Sequence, residues 1–235
     1  MNADNSDTHS DLPRLLTSLH HVMQIAQDGT ASLETRLQQV ASIVVADFPK
    51  ALFKLQALDS AAFLRVVPEF VTPMLPQIIE SYRDVLGTLD VRDAMLPRDR
   101  DSLIEAGLTA YEDFVLQSRE EIEEYYAAHF ARSDREKLGR VVLDDLQVRE
   151  VLLLPIRPYD VPFGVISVSS SIGLTEIDRE YWRIIAAAIR GIYRTDRART
   201  SDDLTRVAFA SASEPTVLVD PDGKAVDINT AALKL

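Results

Sequence analysis

Cysteine is absent from this 235-residue chain. That removes disulfides, thiolate metal sites, a cysteine nucleophile and a thioether-linked chromophore. Histidine is scarce and scattered. His9 lies in the polar start, His20 and His21 share a helix with no metal-spaced acid, and His129 stands beside Phe130 at a helix end. A lone histidine more often packs or caps than ligates. Basic charge is also in short supply: 25 Lys and Arg against 37 Asp and Glu leave a net charge of -12. This argues against a nucleic-acid groove or an anionic membrane surface as partner, because both select basic faces. No apolar run approaches the roughly 18 residues of a membrane helix. The N-terminus lacks a basic start followed by an apolar stretch, so a cytoplasmic protein is expected. There is no glycine-rich phosphate loop, nucleophile elbow or HExxH pair. Catalysis has no visible parts, no cofactor is indicated, and the chain is expected to have no enzyme activity of its own.

What is present is enough apolar material, 46% of residues, for a proper core. Residues 1–11, MNADNSDTHSD, cannot bury enough surface to offset their ordering entropy and read as disordered. Leu12, Leu15, Leu16, Leu19, Val22, Met23 and Ala26 then recur at steps of three and four, a helix that Gly29 ends. Leu33, Leu37, Val40, Ala41, Val44 and Val45 repeat the pattern after a cap at Thr30 or Ser32, and Pro49 stops it. Residues 51–58 and 63–71 read as a hairpin, followed by a helix from Pro76 through Ile78, Ile79, Tyr82, Val85 and Leu86.

Ser102 with Glu105, Ser118 with Glu121 and Ser133 with Glu136 fit the capping-box pattern and predict three successive helices. Their apolar faces are Ile104, Leu108, Tyr111 and Val115, then Ile122, Tyr125, Tyr126 and His129, then Leu138, Val141, Val142 and Leu146. The run Glu120, Glu121, Glu123, Glu124 and the pair Asp144 and Asp145 read as solvated faces. No clear strand stands between Val71 and Val148. Residues 148–157 and 163–169 give the strongest sheet signal, with Val151 to Leu154 suited to burial on both faces and a place at the sheet centre. Thr175 with Asp178 starts a long helix through Tyr181, Trp182, Ile184, Ile185, Ala188, Ile189 and Ile192. A charged segment, 195–203, reads as a linker, with a continued helix allowed, and TVLVD and KAVDIN flank a turn at Asp220 to Gly223. The order implies an α+β fold, a mostly antiparallel sheet flanked by helices.

Leu154, Pro155 and Ile156, a short turn, and then Gly164, Val165 and Ile166 resemble the end of a GAF domain. In that family a strand closes in proline and an aliphatic residue, and its neighbour carries a glycine. Pro155 is expected to end the ladder for want of an amide hydrogen, and Gly164 to permit close backbone approach. The resemblance covers residues 12–194. The tail, 204–235, resembles the truncated start of a PAS domain, with Asp220, Gly223, Asn229, Ala231 and Ala232 in matching places.

The resemblance implies a small-molecule pocket between sheet and helices. Tyr111, Phe114, Tyr125 and Tyr126 are the candidate lining, with Arg149 or Arg157 as an anion partner; the plainer reading has these aromatics filling the core. It also implies a sensory module of a multidomain signalling protein of the two-component kind. A small molecule or partner would be sensed and the change relayed through the terminal helices, as a homodimer, to an output domain beyond Leu235. The alternative is a dimerisation and protein-docking module that binds nothing small.

Overall fold

The computed structural model describes residues 12–58, 64–82, 95–96, 110, 112–129, 140–158, 162–211, 214, 217–219 and 225–228. The expected disordered start, the predicted turn at 59–62, the capping pairs Ser102/Glu105 and Ser133/Glu136 and the turn at Asp220 to Gly223 lie outside them. The chain divides into two compact units, Met1–Tyr193 and Arg194–Leu235.

In the first unit, α1 (Leu12–Gln27) and α2 (Leu33–Asp47) precede the sheet. Ser32 is the cap of α2, its hydroxyl accepting from the Thr35 amide at 3.2 Å. Strands β1 (Leu52–Leu58) and β2 (Leu64–Val71) pair antiparallel, and α3 (Met74–Ser81) follows. Then come β3 (Met95–Leu96), β4 (Phe114–Leu116), α4 (Arg119–His129), β5 (Glu150–Ile156), β6 (Gly164–Ser170) and α5 (Glu176–Ser211). The sheet has six strands in the order β3-β2-β1-β6-β5-β4, with every pairing antiparallel. The α+β architecture is as the sequence predicts.

Several local expectations are corrected. Val115, assigned above to a helix face, lies in β4, which takes the free edge of β5 opposite Leu152. Together with β3, this supplies the strands that were not legible between Val71 and Val148; three residues and two are too few to show a period of two. Val141 and Val142 lie in a wide turn, Arg140–Asp145, closed by the Leu146 amide donating to the Val141 carbonyl five residues back. Pro155 does not end the β5–β6 ladder, which continues to Ile156 opposite Gly164. Its missing amide is tolerated because β4 stops opposite Leu153, leaving the outer side of β5 without a strand there. Of the two strands expected at the centre, β6 is central beside β1, and β5 is one place nearer the edge. The charged linker segment 195–203 is helical, as the sequence reading allowed, and is part of α5.

The two faces of the sheet are built from alternate residues of the same strands. Phe53, Leu55, Leu152, Leu154, Ile156, Ile166 and Val168 pack under α1, α2 and α5 in one buried cluster around Trp182, Ile185 and Ile189. The Tyr181 hydroxyl donates to the Asp47 carboxylate at 2.7 Å, fixing α5 to the end of α2, and the Arg14 guanidinium donates to the Asp47 carbonyl at 3.3 Å. Burial and that carboxylate both push the Tyr181 phenol up. On the opposite face Leu116, Ile122, Tyr125, Val142, Val151, Leu153 and Val165 form a second cluster beneath α4. In the second unit β7 (Val217–Val219) pairs antiparallel with β8 (Ala225–Ile228), as the hairpin pattern predicts.

Candidate functional site

The face under α4 differs from the face under α5 in one respect. Where the face under α5 confines its polar side chains, Glu150 and Ser170, to one end of the sheet, this one carries Lys54, Gln56, Ser167 and Ser169 across its middle. The register sets Lys54 opposite Ser167 and Ser167 opposite Leu153, and in the next row Ser169 opposite Val151. Gln56, Ser167 and Ser169 are buried. Polar groups taken from water need partners, and α4 supplies one: the Tyr126 hydroxyl lies 2.7 Å from Ser169 Oγ. Burial pushes the phenol of the neighbouring Tyr125 up. Burial pushes Tyr126 up to about 12, offset in part by its bond to Ser169. Both phenols are neutral near pH 7. Their rings meet edge to face with centroids 5.2 Å apart, a favourable aromatic geometry.

Lys54 enters this face from β1, its ammonium 5.8 Å from the Tyr125 ring centroid, within cation–π range. The β1–β2 register shifts between Lys54 and Gln56. Lys54 pairs with Val71 and Gln56 with Val66, so β2 spends five residues where β1 spends two. Pro68 lies in that stretch and has no amide for the ladder. Such irregularities re-aim side chains beside sites. Lys54 is half-buried and has no ion-pair or hydrogen-bond partner among the described residues. Desolvation pushes its amine down to about 7.

The site is tied to the base of α5. Asp113, just before β4, is gripped by Arg183 through paired contacts of 3.1 and 3.0 Å. The Arg183 bond holds the Asp113 carboxyl below its usual range, and Asp113, with Glu176 and Glu180, pushes the guanidinium up. After β4, Gln117 donates to Glu150 at 3.3 Å, and Arg179 of α5 reaches the same carboxylate at 3.1 Å. The next residue begins the α4 capping box, in which the Ser118 amide donates to Glu121 at 3.0 Å and the Glu121 amide to Ser118 Oγ at 3.2 Å. A strand pinned to α5 at both ends therefore leads directly into the helix that carries Tyr125 and Tyr126.

Of the residues that the sequence singled out, Phe114, Tyr125 and Tyr126 are brought together in the second cluster. Tyr111 lies outside the described residues. Arg149 is exposed before β5 and Arg157 is buried after it, so the length of the strand, roughly 20 Å or more, separates them. Sequence reasoning missed Lys54. The signal was there: in LFKLQAL a lysine and a glutamine occupy alternate places on one face of an otherwise apolar strand. Among the described residues no three His, Asp or Glu side chains are grouped to hold a metal ion, and no helix is long and apolar enough to cross a membrane.

No sequence family matches the chain, and no curated protein matches it. Solved structures do. The GAF domain of a phosphoenolpyruvate-protein phosphotransferase from Coxiella burnetii aligns with a TM-score of 0.53 at 16% identity, over 82% of this chain and 99% of that one. The corresponding GAF domain from Acinetobacter aligns with a TM-score of 0.51 at 13% identity, over 81% and 96%. A phycoerythrobilin-bound GAF domain from a cyanobacterial phytochrome aligns with a TM-score of 0.54 at 10% identity, over 80% and 99%. At these identities the likeness is one of fold, and the fold is GAF-like.

Proposed function

We propose that this GAF-fold chain is a sensory module that binds a small molecule between the sheet and α4 and passes the event to α5, without catalysis of its own. The observation that carries this reading is the contrast between the two faces of one sheet. The face under α5 is apolar except at the Glu150 and Ser170 end, and the face under α4 holds a lysine, a glutamine and two serines across its middle. Burying a polar group costs stability unless it is hydrogen-bonded, and burying a charge costs more, so a buried row that includes a lysine unpaired among the described residues suits binding better than packing. The links from Asp113 to Arg183 and from Glu150 to Arg179 give the site a mechanical connection to α5, whose helix runs on to Ser211. A ligand that favours one placement of α4 would shift the population of clamp geometries. In this reading the chain is a cytoplasmic homodimer. The segment from Leu204 opens a PAS-like relay towards an output domain, and signalling proceeds from Lys54 outward. The bilin of the phytochrome neighbour is no guide to the ligand, since without cysteine the chain has no thioether attachment.

A second reading, dimerisation and docking without a ligand, is favoured by one observation. Leu12, Leu16 and Met23 leave an exposed apolar stripe on α1. A thermal-shift screen against nucleotides, haem and small neutral and acidic metabolites separates the two. A ligand that binds only the native chain stabilises it by about 2.7 kcal/mol at one hundred times its Kd. At least one class is expected to raise the midpoint, and silence across all of them would leave the docking reading.

A further inference from the structure

We propose that the ligand of this face is a small organic anion, its negative group seated on the Lys54 ammonium beside Ser167 and Tyr125. The inference rests on the ligand-binding reading above and narrows it to one chemical class. A half-buried amine without an acid partner is costly, and a fold retains it where the counter-charge arrives from outside. Among the described residues no carboxylate contacts Lys54, and its one charge-related contact is the Tyr125 ring face. Serine and tyrosine hydroxyls beside it are donors for the oxygens of a carboxylate or phosphate. With a net charge of -12, the chain as a whole does not gather anions. Selection has to be local, and Lys54 is the one cation that the register brings to this row.

Proton linkage follows from the position of the amine. An anion pairs with the ammonium form, so binding draws a proton onto Lys54. Among the described residues, the titratable group in contact with it is the phenol of Tyr125 from α4, with Tyr126 beside that ring; β6 offers Ser167 and β2 offers Val71. Affinity therefore falls about tenfold for each pH unit above the midpoint of the unliganded amine.

The test uses the full chain and three isosteric probes, benzoate, phenyl phosphate and neutral benzamide, by calorimetric titration at pH 6.5 and 8.5. The expected result is that benzoate, phenyl phosphate or both bind at least tenfold more tightly than benzamide at pH 6.5. The advantage should shrink at least tenfold at pH 8.5, vanish in Lys54→Met and persist at both pH values in Lys54→Arg. Benzoate alone marks a carboxylate site and phenyl phosphate alone a phosphate site. Equal binding of benzamide and the anions, or anion binding unchanged in Lys54→Met, overturns the anion assignment and leaves the broader ligand-binding reading standing. No binding of any probe also overturns the anion assignment, and the metabolite screen then decides the broader reading.

Discussion

Lys54→Met is expected to make the unliganded chain more stable at pH 7, on the order of 2 kcal/mol or roughly 4–8 °C in Tm. The cause is desolvation. In the folded chain burial pushes the Lys54 amine down from 10.5 to about 7. Between those values the unfolded chain holds a proton that the folded chain has lost, so stability rises with pH across that window; below it the cost is present in full. The whole shift would correspond to about 5 kcal/mol, and partial solvent access to the half-buried amine reduces it. Methionine keeps the unbranched stem and removes the charge. Thermal melts of both chains from pH 6 to pH 10 check this. The variant should lead at pH 6 to 7 and lose its lead by pH 10, whereas a destabilised variant with an unchanged pH slope would show that Lys54 is satisfied in the fold.

Gly164→Ala is expected to cost about 3 kcal/mol or more, among the larger effects for a one-carbon change. Gly164 opens β6 between Ala57 of β1 and Ile156 of β5. A Cβ there would collide with the Gln56 carbonyl oxygen and lie 3.2 Å from the Ala57 Cα. Both neighbours are backbone of β1, which is paired on its other edge with β2, so neither can swing aside as a side chain would. Relief would require β1 to move, and with it Lys54 and Gln56, which coupled binding assays would register as lost affinity. A urea midpoint within about 1 kcal/mol of the parent would show that β1 and β6 are not held this closely.

Local rules were legible where a few neighbouring residues decide the structure. Ser118 with Glu121 and Thr175 with Asp178 form the reciprocal bonds that their spacing predicts. The close approach expected at Gly164 is present for the stated reason. Legibility failed where a distant partner decides. Phe114 to Leu116 become a strand only because β5 presents a free edge, and three residues carry no period of their own. Pro155 looked like a terminator because sequence does not reveal that β4 ends opposite Leu153. At the site, the aromatic residues that the sequence singled out, Phe114, Tyr125 and Tyr126, converge in one cluster. Arg149 and Arg157, the arginines that the sequence singled out, flank β5, and Lys54 lies inside β1. A lysine in an apolar strand reads as an ordinary alternation until the sheet is folded and that face proves to be covered.

The account places ligand binding under α4 and its consequence at α5, joined through Asp113, Arg183, Glu150 and Arg179. Hydrogen exchange of the full chain, with and without a saturating compound that raises its melting midpoint, tests both halves at once. The account predicts slower exchange in β6 and α4 together with a change in the first turns of α5. Protection confined to α1 and α2, or protection of α4 with α5 unaltered, would contradict it.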